Sequence, residues 1–237
     1  MSDSIKLLGS RRFLPFFLSQ LLGAFNDNLF KNGLTILIAF QAANVSQESS
    51  HTLVNIAAGL FILPFFLFSP LAGQLADKFE KAMLIRNIKL LEIAIMLFGA
   101  VAFIIESTAM LIGILFLMGT QSSLFGPVKY SLLPQALEEQ ELVGGNALVE
   151  FGTFLAILLG LIASVFIIGL GVGSMALAVV LIACIGYWAS RSIPTLPAAA
   201  PELKISFNLF SQTATIIRDA RKNTTVFYSV MGISWFW

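Results

Sequence analysis

Residues 23–33 read GAFNDNLFKNG and set Asn26, Asp27, Asn28 and Lys31 inside a long apolar run. Asp27 and Lys31 are spaced i,i+4, so on a helix they share a face one turn apart. Gln20 lies two turns before Asp27 on that face. Each charge costs about 3 kcal/mol at the centre of a bilayer, and pairing lowers that cost without abolishing it. Such residues can pin a helix to its neighbours, or they can line a polar cavity for a substrate. The mixture of acid, base and amides favours the cavity.

A second set lies in GTQSSLFGPVKYSLLPQ, residues 119–135. Gln121, Ser122 and Ser123 fall near the middle of an apolar segment. Gly126-Pro127 is expected to break or kink it, because proline removes a backbone hydrogen bond. Lys129 and Tyr130 follow. Lys129 either snorkels to the membrane surface or faces the cavity, where it offers a cation to a phosphate. Asp27 on one wall and Lys129 on the other would suit a zwitterion carrying an amine and a phosphate. In LVGGNALVEFGTFLAILLG, residues 142–160, Gly152, Ala156 and Gly160 form a stripe of small residues that permits close helix packing. Asn146 and Glu150 are i,i+4, and Glu150 is expected in an ion pair with Lys129 or with the basic loop after the second helix. GQLADKFEK, residues 73–81, has another logic. Gly73 would let two helices approach, Asp77 would sit near the dipole of a helix N-terminus, and Lys78 and Lys81 would stay on the cytoplasmic side. Gly73, Asp77, Lys78 and Lys81, with Glu150, are candidates for locking one conformation of a rocking bundle.

The elements that position these residues follow from composition. Hydrophobic residues make up 57% of the 237 and charged residues 11%, too few charges to cover a water-facing surface. A net charge of +1 argues against a nucleic-acid partner. Cys184 can form no internal disulfide and reads as a small buried hydrophobe. His51, in a polar loop, is too isolated for a metal site, and no cofactor is expected. No signal peptide is apparent. A spanning helix needs about 20 mainly apolar residues, and six segments qualify: 13–40, 53–76, 83–105, 109–130, 144–168 and 174–190.

Lysine and arginine placement sets orientation. Lys6, Arg11 and Arg12 precede the first helix; Lys78, Lys81, Arg86 and Lys89 follow the second; Arg191, Lys204, Arg218, Arg221 and Lys222 follow the sixth. The links 41–52, 106–108 and 169–173 have neither residue type. This alternation puts the N-terminus in the cytoplasm. The acidic link 131–143 carries Glu138, Glu139 and Glu141 and fits least well. Residues 191–223 are a Pro/Ala-rich linker followed by an amphipathic segment with Phe207, Phe210, Ile216 and Ile217 on its apolar side, expected on the cytoplasmic membrane face. Residues 224–237 are too short to span, and read as the start of a seventh helix in a truncated chain. The expected fold is therefore an all-α membrane protein: the N-terminal six-helix half (1–190) of a major facilitator fold, built as two inverted three-helix repeats, plus the truncated start of a seventh helix.

GQLADKFEK resembles the major facilitator motif between the second and third helices, with Glu80 where the family usually has glycine. AFNDNLFKNG, GPVKYSLLPQ and LVGGNALVEFGTFLAILLG resemble the bacterial lysophospholipid transporter family. They are most similar to the version fused to an acyltransferase and acyl-carrier-protein ligase. The resemblance covers about residues 10–190. It implies a flippase that moves lysophospholipids, chiefly lysophosphatidylethanolamine, across the bacterial inner membrane for reacylation. It implies that Asp27 and Lys129 belong to the polar cavity. Asn28, Lys31, Gln121 and Tyr130 complete the candidate substrate site. Many facilitators carry an arginine in the middle of the fourth helix for proton coupling; this chain has none there. The implied partners are a lysophospholipid, the bilayer, a C-terminal six-helix half, and a fused or associated acyltransferase.

Two other readings stand beside this one: a facilitator for another small solute or drug, and a membrane anchor for a fused enzyme. The chain itself offers no acyltransferase chemistry. That chemistry needs an Asp five positions after a His, and His51 is followed there by Ile56. No nucleophile has a plausible His partner, and no catalytic residue is expected.

Overall fold

A computed structural model describes residues 5–42 and 47–236. Six long helices dominate: α1 (Leu14–Ala42), α2 (Gln47–Lys78), α3 (Lys81–Ile104), α4 (Thr108–Ala136), α5 (Leu142–Gly169) and α6 (Val172–Arg191). Two shorter ones follow, α7 (Leu209–Lys222) and α8 (Thr224–Phe236). There is no strand among the described residues. Hydrocarbon offers no partner to a free N–H or C=O, so a spanning segment must satisfy its backbone internally, and a helix does this. Helices α2 to α6 are long and apolar enough to cross a membrane. Helix α1 is as long as α4, and its apolar run is interrupted by the amides and charges of residues 26–32.

The boundaries correct several expectations. Residues 43–46 of the link 41–52 lie outside the described residues, while α2 already begins at Gln47, so His51 sits in a helix and not in a loop. The turn after α2 is only Phe79 and Glu80, so α3 starts at Lys81, two residues before the expected 83, and Lys81, Arg86 and Lys89, counted with the link for orientation, all lie in α3. Helix α4 runs without a break through Gly126-Pro127 and Pro134. Ser123 and Ser131 donate to backbone carbonyls one turn back, Thr120 O at 2.7 Å and Val128 O at 3.2 Å. Cys184 is exposed on the outer face of α6, not buried.

The main helix interfaces are α2–α4, α1–α5, α3–α6, α1–α6 and α3–α4. This set has a symmetry. Exchanging α1, α2 and α3 with α4, α5 and α6 turns α1–α5 into α4–α2 and α1–α6 into α4–α3, and maps α3–α6 onto itself. Two three-helix repeats packed about a pseudo-twofold axis produce this pattern, the plan of a facilitator half. Helices α1 and α4, which carry the polar clusters, occupy equivalent places.

Close approach rests on small residues. Gly152, Ala156 and Gly160 are buried on one stripe of α5. A Cβ on Gly160 would stand 2.8 Å from Phe25 O and 2.9 Å from Asn28 Cβ of α1. At the symmetry-related interface, a Cβ on Gly119 would overlap the Phe61 carbonyl of α2. Without a hydrophobic force between helices in lipid, this backbone proximity supplies much of the packing attraction.

Two apolar cores result. One joins Leu29, Phe30, Leu34, Phe103, Leu115 and Met175. The other, at the end where α2 meets α3, joins Phe13, Phe16, Phe17, Ile85, Leu133 and Ile193. Between them runs a layer of buried polar side chains: Gln20, Asn26, Lys89, Glu92 and Gln121. The outer surface is apolar, with Phe66, Phe166, Leu170 and Trp188 fully presented to lipid.

Replacing Gly160 with Ala is expected to destabilise the bundle by about 1–3 kcal/mol, the usual cost of overpacking. Gly113→Ala, where a Cβ meets nothing within 4 Å, should not. Thermal unfolding of both variants in detergent, followed by size-exclusion fluorescence, checks this.

Candidate functional site

Helices α1 to α5 enclose a cavity of about 720 Å³. Its polar wall carries Asp27, Asn28 and Lys31 from α1 and Gln121, Lys129 and Tyr130 from α4. The six residues singled out from the sequence thus line one space. Glu150 of α5 lines it too, together with Gln20 and Thr153, whose hydroxyl donates to Gln20 Oε1 at 3.2 Å. The rest of the lining is mainly apolar: Phe61, Ile62 and Phe65 of α2, Phe125 of α4 and Ile157 of α5.

Asp27 does not pair with Lys31. Its Oδ2 accepts from the Ser122 hydroxyl at 2.7 Å, which ties α1 to α4 across the symmetry axis. Lys31 points toward α2, with Nζ 5.7 Å from the centre of the Phe61 ring. Asn28 lines the cavity while donating to Ala24 O one turn back at 2.8 Å. Asn26 turns the other way. It is buried and donates to Glu92 Oε1 at 3.3 Å and to Val179 O at 3.1 Å, joining α1 to α3 and α6.

At the other end of the cavity Lys129 does not snorkel to a surface. Its side chain is 12% exposed, and Nζ lies 3.7 Å from Glu150 Oε1 and 4.6 Å from the centre of the Tyr130 ring. The Tyr130 hydroxyl donates to the same Glu150 oxygen at 2.6 Å. The cation is thus held by a carboxylate and a ring before any ligand arrives. Asn146, the i,i+4 neighbour of Glu150, spends its amide on Leu142 O and stays out of this cluster.

Sequence reading missed a deeply buried ion pair. Lys89 and Glu92 of α3 are 1% and 2% exposed and joined at 2.6 Å. Asn26 and Gln121 also donate to the Glu92 carboxylate, the latter at 3.4 Å. Lys89 Nζ reaches the cavity wall and lies 5.5 Å from the Phe125 ring centre. The available signal was an i,i+3 acid–base pair inside the apolar run 83–105. Counting Lys89 as a loop cation concealed it.

The Gly73–Lys81 segment differs from expectation in its details. A Cβ on Gly73 would meet nothing within 4 Å, so no helix approaches it here. Asp77 is exposed and does not serve the next helix. Glu80 does: as N-cap of α3 it accepts from the N–H groups of Ala82 and Met83 at 2.8 and 2.6 Å. Glu80 has φ −62° and ψ 128°, an extended conformation open to any residue, so the family's usual glycine is not needed. Lys81 is buried, and its ammonium finds no hydrogen-bond partner among the described residues, whereas an open position at the surface was expected. Lys78 lies over the Phe79 ring at 6.0 Å.

The stretch after α6 is strapped across this turn. The N–H of Leu196 donates to Glu80 Oε1 at 2.9 Å, Arg86 donates to Ile193 O at 2.9 Å, and the N–H of Ala200 donates to Asp77 O at 2.8 Å. Gln74 exchanges two hydrogen bonds with the Ser206 backbone. The acidic link after α4 is likewise tied down, because Glu141 pairs with Arg12 at 2.6 Å.

Partial burial raises the Glu80 pKa. The N–H groups of Leu196, Ala82 and Met83 and the Arg86 charge outweigh that effect and hold it below its ordinary 4.5. A depressed carboxylate contributes stability that is present above the unfolded value and lost as pH falls through the folded one. The strap is therefore expected to loosen as pH drops below 4.5, and Glu80→Gln should remove that dependence. Hydrogen exchange at the Leu196 amide reads both. Glu92→Leu should cost about 3–5 kcal/mol by stranding Lys89. Thermal melts should show the double change Lys89→Met with Glu92→Leu recovering most of that loss.

The sequence profile of the Major Facilitator Superfamily matches residues 16–237. The chain is 30% identical to the lysophospholipid transporter LplT of Escherichia coli O1:K1 over 251 residues, covering 100% of this chain and 58% of that protein. It is 30% identical over 252 residues to the lysophospholipid transporter LplT of Klebsiella pneumoniae (strain ATCC 700721), again across 100% of this chain and 58% of that protein. To the protein of the same description from Cronobacter sakazakii it is 29% identical over 235 residues, 97% of this chain and 55% of that one. The chain thus spans a little over half the length of these curated relatives.

Proposed function

We propose a lysophospholipid-carrying role for this multi-pass membrane chain, which belongs to the major facilitator superfamily. The observation that carries the reading is a cavity of about 720 Å³ whose lining combines charged side chains with several aromatic and aliphatic ones. A lysophospholipid combines the same two characters, a charged head group and one acyl chain. Clefts of this size enclose ligands of drug-like dimensions. The relatives named as lysophospholipid transporters support the same reading.

In this proposal the protein flips lysophosphatidylethanolamine or a close analogue across a bacterial inner membrane, with its N-terminus in the cytoplasm. Reacylation follows, by an acyltransferase fused to or associated with the whole protein. Asp27, Asn28, Lys31, Gln121, Lys129 and Tyr130 form the head-group site. A second six-helix bundle closes the cavity from the other side, since alternating access rocks one bundle against another. The α2–α3 turn with Gly73, Asp77, Lys78 and Lys81, together with Glu150, shapes the switch between access states.

Uptake and reacylation of labelled lysophosphatidylethanolamine by spheroplasts of a transport-deficient strain tests the proposal. The strain would express the full-length protein that contains this chain. Asp27→Asn at equal expression should lower uptake about tenfold, the loss of one charge-assisted contact. Uptake absent in the wild type would instead favour a facilitator of another solute.

A further inference from the structure

We infer that Lys31, and not Lys129, receives the phosphate of the bound head group, with Asp27 one turn away facing its ammonium. The inference rests on the lysophospholipid reading and changes the pairing of Asp27 with Lys129 that charge type alone suggests.

The argument is a count of counter-charges. Three lysines reach the cavity. Lys89 is bonded to Glu92 at 2.6 Å, both nearly inaccessible. Lys129 is committed to Glu150 and lies over Tyr130. To bind a phosphate it would have to give up, or share, an ion pair that is already in place. The Lys31 ammonium has no ion-pair contact and no hydrogen bond among the described residues; the Phe61 ring lies 5.7 Å away, and the Asp27 charge acts on it from one turn along α1 without touching it. An ammonium with no directly bonded partner is costly inside a bilayer, and a ligand anion would lower that cost. Asp27, for its part, has one donor from the protein, the Ser122 hydroxyl.

Position agrees with charge. Four residues of helix separate Asp27 from Lys31 by about 6 Å along the axis. The two-carbon bridge between ammonium and phosphate in an ethanolamine head group is comparable in reach. In a lysophospholipid the phosphate lies between the amine and the acyl chain. The Lys31 ammonium likewise has Asp27 one turn away on α1 and the Phe61 ring of α2 at 5.7 Å, with Ile62 and Phe65 lining the same cavity. A phosphate on Lys31 therefore directs the acyl chain along α2. A phosphate on Lys129 would start the chain beside Glu150 and Tyr130 instead.

The test uses the purified full-length protein in nanodiscs. It compares equilibrium binding of lysophosphatidylethanolamine with that of a monoacylglycerol bearing the same acyl chain but no phosphate. The wild type should prefer the phospholipid. Lys31→Gln should weaken phospholipid binding at least tenfold, toward the monoacylglycerol level, and leave monoacylglycerol binding unchanged, which also shows that the variant is folded. Lys31→Arg should restore the preference. If Lys31→Gln keeps the wild-type preference while Lys129→Gln loses it, the phosphate belongs to Lys129 and the inference is overturned. If the wild type itself shows no preference, the head-group reading fails and takes this inference with it.

Discussion

A charge held away from water must be met by another charge or by dipoles, and this rule organises the interior of the bundle. Glu92 satisfies it most fully, collecting the Lys89 ammonium and the amides of Asn26 and Gln121. Those four residues come from α1, α3 and α4, so one carboxylate fixes three helices in register. Glu150 does the same at the cavity rim for Lys129 and Tyr130. Asp27 and Ser122 join the two symmetry-related helices. Lys31 stands outside these pairings, and it does so at a wall where a ligand can supply what is missing.

The polar layer is tenable because the backbone around it is drawn close. Gly160 and Gly152 bring α5 against α1, and Gly119 brings α4 against α2. A side chain at any of these positions would separate the helices and stretch hydrogen bonds that are effective only near 3 Å. Packing and polar pairing are thus one device, in which small residues set the distance and charged residues set the register. Apolar cores above and below seal the layer from both ends.

The end where α2 turns into α3 follows another rule, because there the backbone itself is exposed. Glu80 caps α3 and at the same time holds the strap that follows α6. Arg86 holds the strap at Ile193, whose side chain is buried in the second apolar core. The connection to α7 and α8 is therefore fastened to the α2–α3 turn. Helix α7 carries exposed Ile216 and Ile217 on one side and ends in Arg221 and Lys222, with Arg221 over the Phe227 ring of α8.

The sequence by itself determined the class, the six long helices and the two that carry polar clusters, because hydropathy and period are properties of a linear string. It also determined the small-residue stripe of α5, since its spacing is that of a helix face. Only the tertiary structure decided how the charges are shared. Lys89 read as a loop cation because it was counted with the basic residues of the link, although the segment 83–105 contains it. Glu92 was passed over with it, because its i,i+3 partner had been assigned to the link. Asp27 and Lys31 looked like a pair by spacing, yet Ser122, 95 residues away in the chain, takes the carboxylate. Lys129 could have faced a surface or a cavity, and Glu150 on a third helix settles its direction. Spacing along one helix gives proximity. Which partner a charge accepts depends on the helices packed against it, and that is fixed only when the bundle closes.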